Sequence, residues 1–186
     1  GTDIPSGRRW TWNGTTFVQY PCVSLGIIGN GRFLKIWAAS ENDFYCVGTE
    51  GTIFHYNGST WQQLSSGTAL DIWGIWGGVT GNSFEILGVG NTGFDNAILK
   101  ISDNAVQALS DSGIPESVVG LWFSPGRKYL VVGSGIFRKN SLSDPVWIGA
   151  PLELTDYYSH AVRGTDTSNI VVAGASRAYA QAQAQI

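Results

Sequence analysis

Four times along this chain an apolar strand start is followed, eleven or twelve residues later, by an apolar run that ends in glycine: Trp37 to Gly48, Trp76 to Gly88, Trp122 to Gly133 and Val162 to Gly174. The starts recur at about 40 to 45 residues, the period of architectures in which one small antiparallel sheet is repeated. A single four-stranded sheet has two faces to cover and no partner of its own, so successive units must stack face to face about an axis. The pattern specifies an all-β fold, a β-propeller of four-stranded antiparallel blades.

Each copy has the same grammar. Ile36-Trp37 runs through the polar turn Ser40-Glu41-Asn42-Asp43 into Phe44-Tyr45-Cys46-Val47-Gly48, and Ile75-Trp76 leads into Phe84 to Gly88 once a single residue is inserted in the turn. The third and fourth copies start at Leu121-Trp122 and Ala161-Val162. An apolar run, a Gly/Pro/Asn/Asp/Ser turn and a second apolar run read as a hairpin, strands A and B of a blade. Strands C and D follow as Thr52 to Tyr56 and Ser59 to Leu64, joined by Asn57-Gly58. That dipeptide tolerates the positive φ of a type I′ turn. It recurs as Asn13-Gly14 between Trp12 and Phe17, and weaker versions of the C and D pair span Ile98 to Leu109 and Ile136 to Trp147.

The chain thus reads CD, ABCD, ABCD, ABCD, AB, with blade segments at 8–22, 33–64, 72–109, 118–148 and 157–174 inside a propeller of residues 1–175. The leading CD pair and the closing AB pair together make one further blade, which gives about four blades and hides the sheet edges that invite aggregation. A low-complexity Ala/Gln tail, 176–186, stands where another strand C belongs. It keeps two alternatives open: a fragment of a larger ring, and self-assembly of partial rings into a homo-oligomer.

With 43% hydrophobic and 13% charged residues, the chain has the apolar content for a core and too little charge for disorder. No run reaches the length of a membrane-spanning helix. The absence of methionine reads as a processed or partial polypeptide, any leader lying outside it. A net charge of −3, with Arg8-Arg9 and Arg127-Lys128 as isolated basic pairs, argues against a nucleic-acid surface, which needs several cations on one face. Cys46 falls at a position aligned with Ile86, Val131 and Val172, so it reads as a small buried hydrophobe, and Cys22 lies just past a strand D. Two cysteines and two histidines far apart give no metal spacing. No metal or cofactor is expected.

The aromatic residues divide by position. Trp37, Trp76 and Trp122 share one site of the repeat, as do Phe17 and Trp61; a residue that recurs once per blade is a wedge between blades. Trp10, Trp73 and Trp147 fit the repeat less well and are the candidates for exposed contact. His55 shares its strand C position with Thr11, Lys100 and Arg138, a variable polar set that marks a solvent-facing site. His160 has Asp156 and Tyr157 nearby, but no serine or cysteine lies in a nucleophile motif to complete a triad. Asp43, Asp71, Asp103 and Asp166 fall in or beside turns, where aspartate bonds the backbone. The sequons at Asn13 and Asn57 coincide with hairpin turns.

The segment from Ile36-Trp37 through Asn42-Asp43-Phe44-Tyr45-Cys46-Val47-Gly48 to Gly51-Thr52-Ile53-Phe54-His55-Tyr56-Asn57-Gly58-Ser59-Thr60-Trp61 resembles the repeats of bacterial secreted β-propellers, the BNR-like and photosystem II assembly factor-like group. The likeness covers roughly residues 8 to 174 and is strongest in the first full copy. It implies an extracellular or cell-surface binding or scaffold module without catalysis. The Asp box of sialidases is only half present, since Gly58-Ser59-Thr60-Trp61 follows Tyr56 where aspartate is required. Kelch double glycines appear only at Gly77-Gly78. The expected function is a non-enzymatic interaction or structural module that meets a protein or glycan with its loop face, the Asn91 to Asn96 loop with Phe94 and Asp95 foremost. A lectin-like propeller and a self-assembling subunit are the alternatives; a glycoside hydrolase would need paired carboxylates in one pocket.

Overall fold

The turn chemistry of each hairpin sets its strand register, and the registers build the sheets. The structure is a computed structural model describing residues 8–21, 31–80, 83–115, 117–150 and 157–176; Cys22 and the tail 177–186 lie outside the described residues. β1 (Arg8–Trp12) and β2 (Phe17–Pro21) form a hairpin. β3 (Phe33–Ser40), β4 (Asp43–Gly48), β5 (Ile53–Tyr56) and β6 (Trp61–Leu64) form the first four-stranded antiparallel sheet. β7 (Asp71–Thr80), β8 (Ser83–Asn91), β9 (Asn96–Ile101) and β10 (Val106–Leu109) form the second. β11 (Val118–Ser124), β12 (Lys128–Gly133), β13 (Ile136–Lys139) and β14 (Ile148–Gly149) form the third, and β15 (Tyr157–Gly164) with β16 (Ile170–Ser176) form a closing hairpin. No helix occurs among the described residues. The β1–β2 and β15–β16 hairpins are two separate two-stranded sheets and do not share a blade.

The Asn-Gly turns are wider than a two-residue I′ connection. Trp12 pairs with Phe17 and Tyr56 with Trp61, so four residues make each loop. Only the glycine has positive φ, +96° at Gly14 and +91° at Gly58. The Asn13 carboxamide oxygen accepts the Thr15 and Thr16 N–H groups at 3.0 and 2.8 Å, and Asn57 repeats this with Ser59 and Thr60 at 3.1 and 2.9 Å. The side chain satisfies the amides that a wider loop leaves unpaired.

Successive residues of a strand face opposite sides of its sheet, so each blade feeds two cores. Tyr45, Val47 and Ile53 of the first blade meet Ile72, Ile75 and Leu99 of the second. From the other face of that second blade Leu87, Val89 and Ile98 meet Val118, Leu121 and Phe123 of the third. Trp122, Leu130 and Val132 then meet Val162 of β15. β3, β7, β11 and β15 lie side by side in that order as the inner strands.

The recurrent tryptophans sit at these joints. Trp37 lies over Gly77, Trp76 donates its indole N–H to the Phe123 carbonyl at 3.3 Å, and Trp122 lies over Gly164, its Cζ2 only 2.8 Å from where a Cβ would stand. Gly77, Phe123 and Gly164 each follow the wedge position of their own blade, so every wedge leans on the same spot of the next one. The last inner strand departs from the sequence alignment. Ser159 pairs with Gly174 as Val118 pairs with Gly133, which puts Val162 level with Leu121 and makes Arg163, not Val162, the occupant of the wedge position. In the second blade the level of Gly48 is held by Gly90, not Gly88, because the β7–β8 hairpin is longer; Cys46 stands level with Gly88 and is buried.

The same register places Ser159 level with Ile72 and Val118, buried, with its hydroxyl lacking a hydrogen-bond partner among the described residues. An unsatisfied buried hydroxyl costs roughly 1 to 3 kcal/mol. Ser159→Ala is expected to raise stability by about 1 kcal/mol in urea unfolding with an unchanged m-value; a loss of stability would mean the hydroxyl has a partner in solution.

Candidate functional site

Each inner strand carries a β-bulge at the same level. The pairing skips Leu34 in β3, Trp73 in β7, Val119 in β11 and His160 in β15, each one residue before the regular register resumes. A bulge leaves its extra residue out of the ladder and re-aims its side chain. Here three of the four skipped residues, Trp73, Val119 and His160, line one cleft of about 350 Å³ together with Asn91 and Tyr158.

Below the cleft the inner strands close to a throat of about 30 Å³, walled by the same Trp73, Val119 and His160 and by Lys35, Gly74, Gly120 and Arg163. That is room for about one water molecule. Small residues after the bulges, Gly74, Gly120 and Ala161, let the strands approach. The Arg163 guanidinium of β15 lies 4.7 Å over the Trp76 ring of β7 and donates to the Val162 carbonyl at 2.7 Å. A side chain touching an inner strand two blades away shows how tightly these strands converge.

One wall of the cleft is braced by two asparagines, of which Asn91 lines it. Asn91 donates to the Val118 carbonyl at 2.6 Å, and the Val118 N–H donates to Asn96 at 3.1 Å. Both polar groups of one Val118 peptide region are thereby tied to the ends of the β8–β9 turn. Tyr158 and His160 pack edge to face at 5.0 Å on the opposite side. Among the described residues that line the cleft and the throat, none is Asp or Glu. No carboxylate lies within ion-pair distance of Lys35, His160 or Arg163 among the described residues.

The residues singled out from sequence fall in different places. Trp73 is 42% exposed and forms the cleft wall. Phe94 is 93% exposed and Asp95 is exposed. They stand in a tight turn, closed by the Thr92 N–H donating to the Asp95 carbonyl at 3.1 Å, and not in a long inserted loop; strand pairing runs on to Asn91 and Asn96. Asn91, which begins this turn, lines the cleft; Phe94 and Asp95 are not among its lining residues. Trp10 is exposed on β1, away from the cleft lining. Trp147, expected at the surface, is 3% exposed: its indole donates to the Ser110 carbonyl at 3.0 Å, and the buried Lys139 ammonium lies 5.2 Å over its ring. Burial pulls the Lys139 pKa below the ordinary lysine value, against the opposing influence of Asp144.

His55, expected to face solvent, is 6% exposed. Its ring stacks on Tyr45 at 4.1 Å and its Nε2 lies 2.9 Å from Asp43 Oδ1, while the Tyr45 hydroxyl donates to Asp103 at 3.1 Å. Asp43, Tyr45 and Asp103 border a second cleft of about 370 Å³ between the first two blades. Burial first, then the two aspartates, push the Tyr45 hydroxyl pKa well above the ordinary value of 10, so it stays a donor. Each chemistry-bearing group there is engaged by another, and the network joins the two blades. No group of three or more His, Cys, Asp or Glu residues is placed to hold a metal among the described residues. No helix there is long and apolar enough to cross a membrane.

Lys35, Val119, Tyr158 and Arg163 were not singled out from the sequence. The signal that finds them is the closing glycine of each B strand: counting back across the hairpin from Gly48, Gly90, Gly133 and Gly174 fixes the bulge in every inner strand.

No protein-family model matches the sequence, and no curated protein matches it. Among solved structures the chain is similar to YCF48 bound to D1 peptide, with a TM-score of 0.53 and 13% identity over 76% of this chain. It spans 60% of that chain. At this identity the likeness shows the fold, a propeller of repeated antiparallel blades.

Proposed function

We propose that this chain is a non-enzymatic interaction module that binds a protein segment at the mouth of its axial cleft, and that it works outside the cell or at its surface. The observation that carries the reading is the repeated bulge. It turns Trp73, Val119 and His160 out of the inter-blade cores and toward one opening, where packing does not require an indole 42% exposed. Exposed aromatic rings beside fixed polar groups suit peptide recognition. The similar structure, YCF48, is bound to a peptide. No serine or cysteine nucleophile and no carboxylate pair stands among the described residues lining the cleft. The resemblance to secreted propellers supports the extracellular setting. A glycan is the second reading, favoured by Trp73 and Tyr158 flanking one opening.

The test sets an array of random octapeptides, anchored by their N-termini, beside a glycan array. Wild-type protein is expected to be retained on peptides, and Trp73→Ala to lose about tenfold of that retention while its melting temperature stays within about 2 °C. Replacing Phe94 and Asp95 together is expected to weaken retention less. Retention on glycans alone, or an unchanged Trp73→Ala, would sink the peptide reading.

A further inference from the structure

Resting on that reading, we infer that the axial cleft takes the free C-terminus of a polypeptide, with the terminal carboxylate at the throat and the last side chains against Trp73 and Tyr158. The cleft tapers: about 350 Å³ at the mouth gives way, past the shared Trp73, Val119 and His160, to about 30 Å³ below. An internal segment must enter and leave such a cavity, whereas a chain end needs only to enter. The floor is positive, since Lys35 and Arg163 wall the throat. No lining carboxylate among the described residues neutralises them. A terminal carboxylate is the anion every polypeptide end carries, and charge-assisted hydrogen bonds to it are the strong kind.

The geometry also separates the roles of the two throat cations. Arg163 is already committed to the Trp76 ring and the Val162 carbonyl, so it supplies a fixed field. Lys35 follows the bulge of β3 and is exposed, so its flexible ammonium is the group that reaches the ligand. Asn91 holds the Val118 carbonyl with its amide, which keeps that wall rigid for the side chain above it.

Two matched octapeptide arrays test this, one ending in free carboxylates and one amidated. Wild-type protein is expected to lose about tenfold or more of its retention on amidation. Lys35→Met is expected to fall to the amidated level on the free-carboxylate array and to be unchanged on the amidated one, with Lys35→Arg restoring most of the difference. Equal retention on both arrays that remains sensitive to Trp73→Ala overturns the carboxylate while leaving the cleft as the binding site. Retention insensitive to both Trp73→Ala and Lys35→Met overturns both readings, as does no retention on either array.

Discussion

Replacing Trp122 with alanine is expected to destabilise the protein by about 4 kcal/mol, the range for a buried Trp→Ala change. For a chain of this length that lowers the melting temperature by roughly 10 °C. Trp122 is 3% exposed and forms one small core with Leu130, Val132 and Val162, the only buried residues of that cluster among those described. Its indole lies against the bare backbone of Gly164, which offers no side chain of its own to fill the hole. The β15–β16 hairpin has no strand C or D among the described residues and leans on the third blade through this core. The loss should therefore be local before it is global. Amide exchange is expected to speed up first in β15 and β16, and scanning calorimetry to show the lower transition. A melting temperature within about 2 °C of wild type would mean that the indole contributes no more than a surface residue.

The contrast with Trp73→Ala is where sequence and structure part. Both are tryptophans on inner strands, and only their level relative to the bulge decides that one is mortar and the other faces an opening. The repeat of Trp37, Trp76 and Trp122 is visible as text because wedge residues must be large in each blade. Propeller blades of four antiparallel strands follow from the same spacing, since hairpin signals such as Asn57-Gly58 are local. The bulge is not visible, because it is a one-residue slip in pairing between segments a dozen residues apart and obeys no fixed residue type: Leu34, Trp73, Val119 and His160 have nothing in common. Counting back across the hairpin from Gly174 as from Gly133 puts Arg163, not Val162, at the wedge level, and with it a throat cation. His55 and Trp147 illustrate the opposite failure. Polar atoms suggested exposure for one and poor fit to the repeat suggested it for the other. Asp43, bonded to the His55 ring that stacks on Tyr45, and the Ser110 carbonyl satisfy those polar atoms inside the protein. Partners distant in sequence decide burial for amphipathic side chains, and a single sequence does not display them.

The second large effect is expected at Gly77. A Cβ at that position would fall inside van der Waals contact with three atoms of the Trp37 ring, which itself packs against Phe84 at 5.6 Å and Tyr45 at 6.3 Å. Valine has the better strand propensity, worth at most about 1 kcal/mol. Overpacking a filled joint costs about 1 to 3 kcal/mol and more where the neighbour is held on several sides. The clash outweighs the propensity, so Gly77→Val is expected to lose about 3 kcal/mol in urea unfolding. Trp37→Ala alone is expected to lose about 2 kcal/mol, less than Trp122→Ala because Trp37 is only half-buried. In the double variant the valine occupies space the indole has left, and the combined loss should fall short of the sum by more than about 1 kcal/mol. Such a shortfall ties the wedge of the first blade to the residue after the wedge of the second, the contact by which the blades are ordered. Additive losses would place Trp37 elsewhere in solution, and with it the stacking sequence of β3, β7, β11 and β15 that brings Lys35 to the throat.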